Sequence, residues 1–132
     1  MKVMADTNII FSALLFPESI PAKALLHIVG HHQLVLCDHI VNEFLDTVAR
    51  KRPDLLADAD VLLAELPHET LIAPREPSKL IADPKDAPIL NAAILEDVDI
   101  IVSGDKHFLS LNMERPKVLR AVDYLSWEKA DM

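Results

Sequence analysis

Lys2-Val3-Met4-Ala5-Asp6-Thr7-Asn8 is the stretch on which the reading of this chain turns. A short β-branched and apolar run ends abruptly in a carboxylate, which reads as a buried strand with an acid at its carboxyl end. The same arrangement recurs. Residues 33–37 form a second buried strand, followed by Asp38. Residues 99–102 form another, followed by the turn Ser103-Gly104-Asp105. Between these runs the apolar spacing switches to that of helices. Residues 22–29 place Ala24, Leu25 and Ile28 on one face, with Pro21 in the first turn. Asp38 is expected to cap a helix through Arg50 whose inner stripe is Val41, Phe44, Leu45 and Val48. Pro53 ends it, and Asp54 is expected to cap the next helix, through about Leu66. Residues 70–73 read as a short strand and 79–84 as a loop. A helix is expected over about 86–96, with Ile89, Leu90, Ala93 and Ile94 inward, then one helical turn at 108–111 and a last strand at 118–122. Strands alternating with helices predict an α/β fold, a three-layer α/β/α sandwich around a mostly parallel sheet. One domain is expected over 1–132, with a core of about 2–122 and a tail of 123–132.

The bulk properties narrow the class. Half of the 132 residues are hydrophobic and a quarter are charged, which suits a folded domain. The single cysteine, Cys37, excludes an intrachain disulfide and a multi-cysteine zinc site. It reads as a small buried hydrophobe, and a chain without disulfides suits a reducing cytoplasm. No run is long and apolar enough for a signal core or a membrane span, so no membrane association is expected. The net charge of −8 opposes nucleic-acid binding taken alone. An acidic site would supply several of those charges itself, and bound divalent ions would offset part of them.

Four acids stand where a parallel sheet gathers its reactive groups, beyond the carboxyl ends of the strands. Asp6 follows the first strand and Asp105 the strand at 99–102. Glu43 lies early in the helix leaving the second strand, and Asp86 stands at a helix start. Converging carboxylates repel and resist ionisation unless a cation lies between them. All-oxygen ligands suit Mg²⁺ or Mn²⁺. Such ions activate water and stabilise the leaving oxygen in phosphodiester hydrolysis. Asp6 and Asp105 are the expected principal ligands, with Asp86 and Glu43 completing the shell. Asn8 and Ser103 support the loops. Asp83 serves as a cap or supporting acid, and Lys85 and Lys106 adjoin the ligands as phosphate neighbours. Each acid has a plainer reading by itself. Asp6 can be a turn residue, Glu43 a solvated helix acid, and Asp86 and Asp105 helix caps. The argument rests on the set.

The set, in this order, resembles the PIN-domain nuclease family. The matching pieces are Asp6-Thr7-Asn8, Glu43, Asp83-Pro84-Lys85-Asp86 and Ser103-Gly104-Asp105, over nearly the whole of 2–122. Ser103-Gly104-Asp105-Lys106-His107-Phe108-Leu109 is especially similar to the toxin-type, VapC-like subgroup. The resemblance implies an RNA-cleaving enzyme using Mg²⁺ or Mn²⁺, a homodimer, and a small antitoxin protein as partner. No further acid after Asp105 stands at a matching spacing; Asn112 and Glu114 are the nearest candidates.

The other features carry plainer readings. Arg50, Lys51 and Arg52 suit a solvated helix end. His31 and His32 begin a turn, and as chain neighbours they do not face one ligand. His107 reads as a surface residue, and Tyr124 and Trp127 pack the tail onto the sheet. A catalytically inactive PIN-like domain that binds RNA or protein is the rival function, although binding alone does not need converging carboxylates. A haloacid-dehalogenase or receiver reading fails. Asn8 stands where the first wants an Asp, and Asp38 is a poor phospho-acceptor for the second.

Overall fold

The computed structural model describes residues 1–73, 87–111 and 113–130, the side chains of the last helix as far as Glu128. Asp83, Lys85, Asp86 and Asn112, with the loop expected at 79–84, lie outside the described residues.

The sheet has five strands: β1 (Lys2–Ala5), β2 (Gln33–Cys37), β3 (Glu69–Leu71), β4 (Ile100–Val102) and β5 (Lys117–Leu119). Their spatial order is β3-β2-β1-β4-β5, and every pairing is parallel. The register sets Met4 opposite both Val35 and Ile101. Successive strands run outward in opposite directions from β1, so the topological switch lies between β1 and β4. In open parallel sheets this is where a cleft forms beyond the carboxyl ends. The strand runs are apolar on both faces because both are covered: Val3, Met4, Ala5, Leu34 to Cys37 and Ile100 to Val102 are all buried.

Seven α-helices are described: α1 (Thr7–Leu15), α2 (Ile20–His31), α3 (Asp38–Lys51), α4 (Leu56–Glu65), α5 (Ala87–Leu95), α6 (Lys106–Leu109) and α7 (Ala121–Ala130). Ser19 caps α2 by accepting from the Ala22 amide at 3.3 Å, and Pro21 lies in its first turn. The buried stripe of α3 is Ile40, Phe44 and Val48 at four-residue spacing, with Val41 and Leu45 partly buried beside it. α5 stops where Asp97 takes φ 53°, and the Val98 amide bonds the Ala93 carbonyl at 2.9 Å, turning the chain into β4. Among the described residues no single helix is long and apolar enough to cross a membrane.

The structure departs from several sequence expectations. Asp54 does not cap a helix; its carboxylate is held by the Arg52 guanidinium at 2.9 Å, and Pro53–Leu55 is a 3-10 turn before α4. Ile94 is 40% exposed, because Ala92 takes the inward position on α5. The helical turn expected at 108–111 begins earlier, at Lys106, where Asp105 caps it. The strand expected at 118–122 ends at Leu119, and α7 follows from Ala121. Tyr124 is fully buried on that helix, which packs against α2.

Candidate carboxylate site

Asp6 is the centre of the site. It leaves β1 and caps α1, so its carboxylate stands at the switch point of the sheet, 3% exposed. One oxygen, Oδ1, accepts from the Thr7 amide at 2.8 Å. The other, Oδ2, accepts from the Ser103 hydroxyl at 2.8 Å. The Asp6 amide bonds the Val102 carbonyl at 3.0 Å, tying the end of β1 to the end of β4.

Ser103 links two of the acids. While its hydroxyl donates to Asp6, its oxygen accepts from the Asp105 amide at 3.0 Å. Asp105 then caps α6, accepting from the His107 amide at 2.8 Å, with the His107 ring 3.3 Å from the same oxygen. Capping and ligand roles are compatible here, since a cap uses one carboxylate oxygen. Replacement of Ser103 by Ala is expected to cost about 1–3 kcal/mol of stability, because it strips a fully buried carboxylate and an amide of partners. It should also lower divalent-ion affinity about 10–100-fold, as loss of a ligand-orienting partner does. Urea denaturation and calorimetric ion titration check the two effects separately.

Glu43 stands on α3, close enough for its charge to act on Asp6. Its carboxylate is 3.6 Å from His39 Nε2 and lines a groove of about 350 Å³ with His39, Asp46 and Arg50. Burial pushes the Asp6 carboxyl up to about 6. The hydrogen bonds from Ser103 and Thr7 oppose this, and the charges of Glu43 and Asp105 add to it. Acids from α3 and the turn after β4 thus act electrostatically on the one that follows β1. Their oxygens do not all close to within 4.8 Å; among the described residues the trio that does is His27, His32 and Glu128.

The donor chemistry fits a hard divalent ion. The three acids supply oxygen only, and the most buried one is destabilised by its neighbours' negative charge. The buried Thr7 hydroxyl next to Asp6 has no hydrogen-bond partner among the described residues. Asn8 is exposed in the first turn of α1, and Lys106 is exposed beside Asp105. Asp38, expected to cap α3, is instead its first residue, with Cys37 at the cap position. It closes the end of β2 on β3 by accepting from the amides of His39 at 2.8 Å and Ala73 at 2.9 Å. The signal for it was its place directly after a strand, which it shares with Asp6.

Strand order, switch-point acid and capping carboxylates together define a parallel-sheet domain with acidic groups beyond the strand ends. The family model described as PIN domain matches residues 2–107, and the chain belongs to that family. Its fold is similar to a chain in the crystal structure of VapBC2 from Rickettsia felis bound to a DNA fragment from their promoter. That similarity has a TM-score of 0.67 at 18% identity, over 91% of this chain and 98% of that one. Among curated proteins none matches significantly.

Proposed function

We propose that this chain is a metal-dependent endoribonuclease, the toxin of a toxin–antitoxin pair, acting in the cytoplasm. The observation that carries the nuclease reading is Asp6. It is a carboxylate 3% exposed at the switch point of a parallel sheet, its acidity weakened by burial and by Glu43 and Asp105. Binding alone does not require such a group, whereas a cation-dependent hydrolase does. Membership of the PIN domain family supports the reading, and PIN domains are generally nucleases.

Asp6, Asp105, Glu43 and Asp86 would hold Mg²⁺ or Mn²⁺, Asp86 on its sequence position only. When bound, the ion supplies an activated water and stabilises the leaving oxygen of the phosphodiester. The chain's own residues do the rest. Ser103 holds Asp6 and the Asp105 backbone in one geometry. Lys106, exposed beside Asp105, meets a substrate phosphate and positions RNA without reading its sequence. Lys85 and Asn8 are assigned the same neighbourhood, and Asp83 a supporting role before α5. A homodimer and a small inhibiting antitoxin are the partners proposed. The promoter-bound VapBC2 assembly supports a toxin–antitoxin setting.

The purified chain is expected to cut a broad RNA panel with Mn²⁺ or Mg²⁺, and to stop on addition of EDTA or in Asp105→Asn. Absence of cleavage with either ion, together with no divalent binding by calorimetry, would sink the enzyme and leave a non-catalytic interaction domain. Co-purification with the product of a neighbouring small reading frame tests the antitoxin role.

A further inference from the structure

A second cluster of ligand-type side chains lies at the opposite edge of the sheet, where the strands begin. His32 directly precedes β2, and the Gln33 amide bonds the Met1 carbonyl at 2.9 Å at that edge. His27 stands on α2, five residues before His32, and Glu128 stands on α7. Their candidate ligand atoms all lie within 4.8 Å of one another. We propose that His27, His32 and Glu128 form a metal site for a late first-row divalent cation such as Zn²⁺, clipping α7 onto α2.

The geometry and the ligand chemistry support it. Two imidazoles and one carboxylate form the ligand set that Zn²⁺ takes with three protein ligands, at about 2.0–2.2 Å each. Tetrahedral bonds of that length put ligand atoms roughly 3.3–3.6 Å apart, so small side-chain rotations close the trio. His32 Nε2 and the Glu128 carboxylate already meet, with side chains only 13% and 12% exposed. They are shielded from water yet reachable.

The outer shell is also in place. His27 Nδ1 is 2.7 Å from the hydroxyl of the fully buried Tyr124, a partner that orients the ring. Fixing one ring nitrogen to orient the other is how metal-bound histidines are usually held. The His31 ring stacks on His27 at 4.1 Å, so the imidazole cannot swing freely.

The donor type separates this site from the Asp6 site. Oxygen-only ligands suit Mg²⁺ and Mn²⁺, whereas imidazole suits Zn²⁺, Ni²⁺ and Co²⁺. The bound ion bridges two helices far apart in sequence, α2 and α7, and therefore adds stability only to the folded chain.

The test is Zn²⁺ and Co²⁺ titration in excess Mg²⁺, on the wild type and on Asp6→Asn/Asp105→Asn. One equivalent should bind in both, with a rise in melting temperature and the intense visible absorption of tetrahedral Co²⁺. His32→Ala and Glu128→Gln should each weaken binding by more than the roughly 10–100-fold that outer-shell changes cost, and Tyr124→Phe by about tenfold. Circular dichroism of the metal-free variants shows whether they fold. If His32→Ala unfolds, Glu128→Gln and the wild-type Co²⁺ spectrum still decide. The site is refuted if Zn²⁺ binding disappears in the Asp6→Asn/Asp105→Asn chain. A six-coordinate, all-oxygen Co²⁺ spectrum, or unchanged affinity in Glu128→Gln, refutes it equally.

Discussion

Asp6→Asn is expected to reduce RNA cleavage by roughly 10²–10³-fold or more, the scale of losing one preorganised electrostatic group in an active site, while the fold persists. Asparagine is as good a helix cap as aspartate. Its oxygen can still accept from Thr7, and its amide can donate to Ser103, whose oxygen has a lone pair to spare. The variant therefore removes charge with little change of shape. A comparable loss with retained secondary structure would tie activity to the carboxylate itself. Undiminished cleavage would remove Asp6 from the site.

The same variant carries a pH signature. The Asp6 carboxyl moves from 3.8 up to about 6 on folding, so the folded chain holds this proton where the unfolded chain has lost it. Stability therefore falls as pH rises from about 4 to about 6, and levels off above. The full effect is about 3 kcal/mol at most in metal-free protein. Asp6→Asn lacks the slope and should be the more stable chain at pH 7 without metal. Mg²⁺ or Mn²⁺ should stabilise the wild type and not the variant. Urea denaturation of both chains across this range, with and without the ion, isolates the Asp6 contribution from that of other titrating acids. A slope unchanged by the substitution would show that Asp6 is not the group responsible.

Phe44→Ala should produce the largest loss of stability, about 3–5 kcal/mol. Phe44 is fully buried on α3 between Ile40 and Val48, and truncating it leaves a cavity in the layer that supports the site. Domains of this size hold only about 5–15 kcal/mol in all, so partial unfolding at moderate temperature should accompany the change. Its neighbour Glu43 offers the contrasting case. The Glu43 side chain is 39% exposed, and Glu43→Gln should alter stability by no more than about 0.5 kcal/mol. Cleavage should nevertheless fall, because the charge it presents to Asp6 is gone. Thermal melts and RNase assays on both variants would separate a structural neighbour from a functional one. If Glu43→Gln retains full activity, Glu43 is only a solvated helix acid.

The parallel sheet was legible because its three central strands, β2, β1 and β4, are short apolar runs followed by acids, buried on both faces and spaced by helical segments. Asp6 and Asp105 were legible for the same reason: Asp6 directly follows such a run, and Asp105 closes the short turn after one. Glu43 was weaker, since a helical glutamate carries no local mark of function and only the packing of α3 brings its charge within reach of Asp6. Local chemistry misled at Asp54, where a nearby guanidinium, Arg52, competed for the carboxylate. At Ile94 the helical phase shifted by a small amount and Ala92 took the inward position. The segment 121–130 shows no apolar stripe, so α7 could not be read from period; it is held by Tyr124 packed against α2.

The sequence by itself determined the alternation of strand and helix and the strand-end acids, because these depend on residues close together along the chain. Only the tertiary structure decided that Ser103 joins Asp6 to Asp105, and that His27 and His32 meet Glu128. Those contacts span 97 and 96 residues between Asp6 and Ser103 and between His32 and Glu128. Side chains so far apart are brought together only when the sheet closes and its helices dock, an outcome of burial summed over the whole core that no local pattern records.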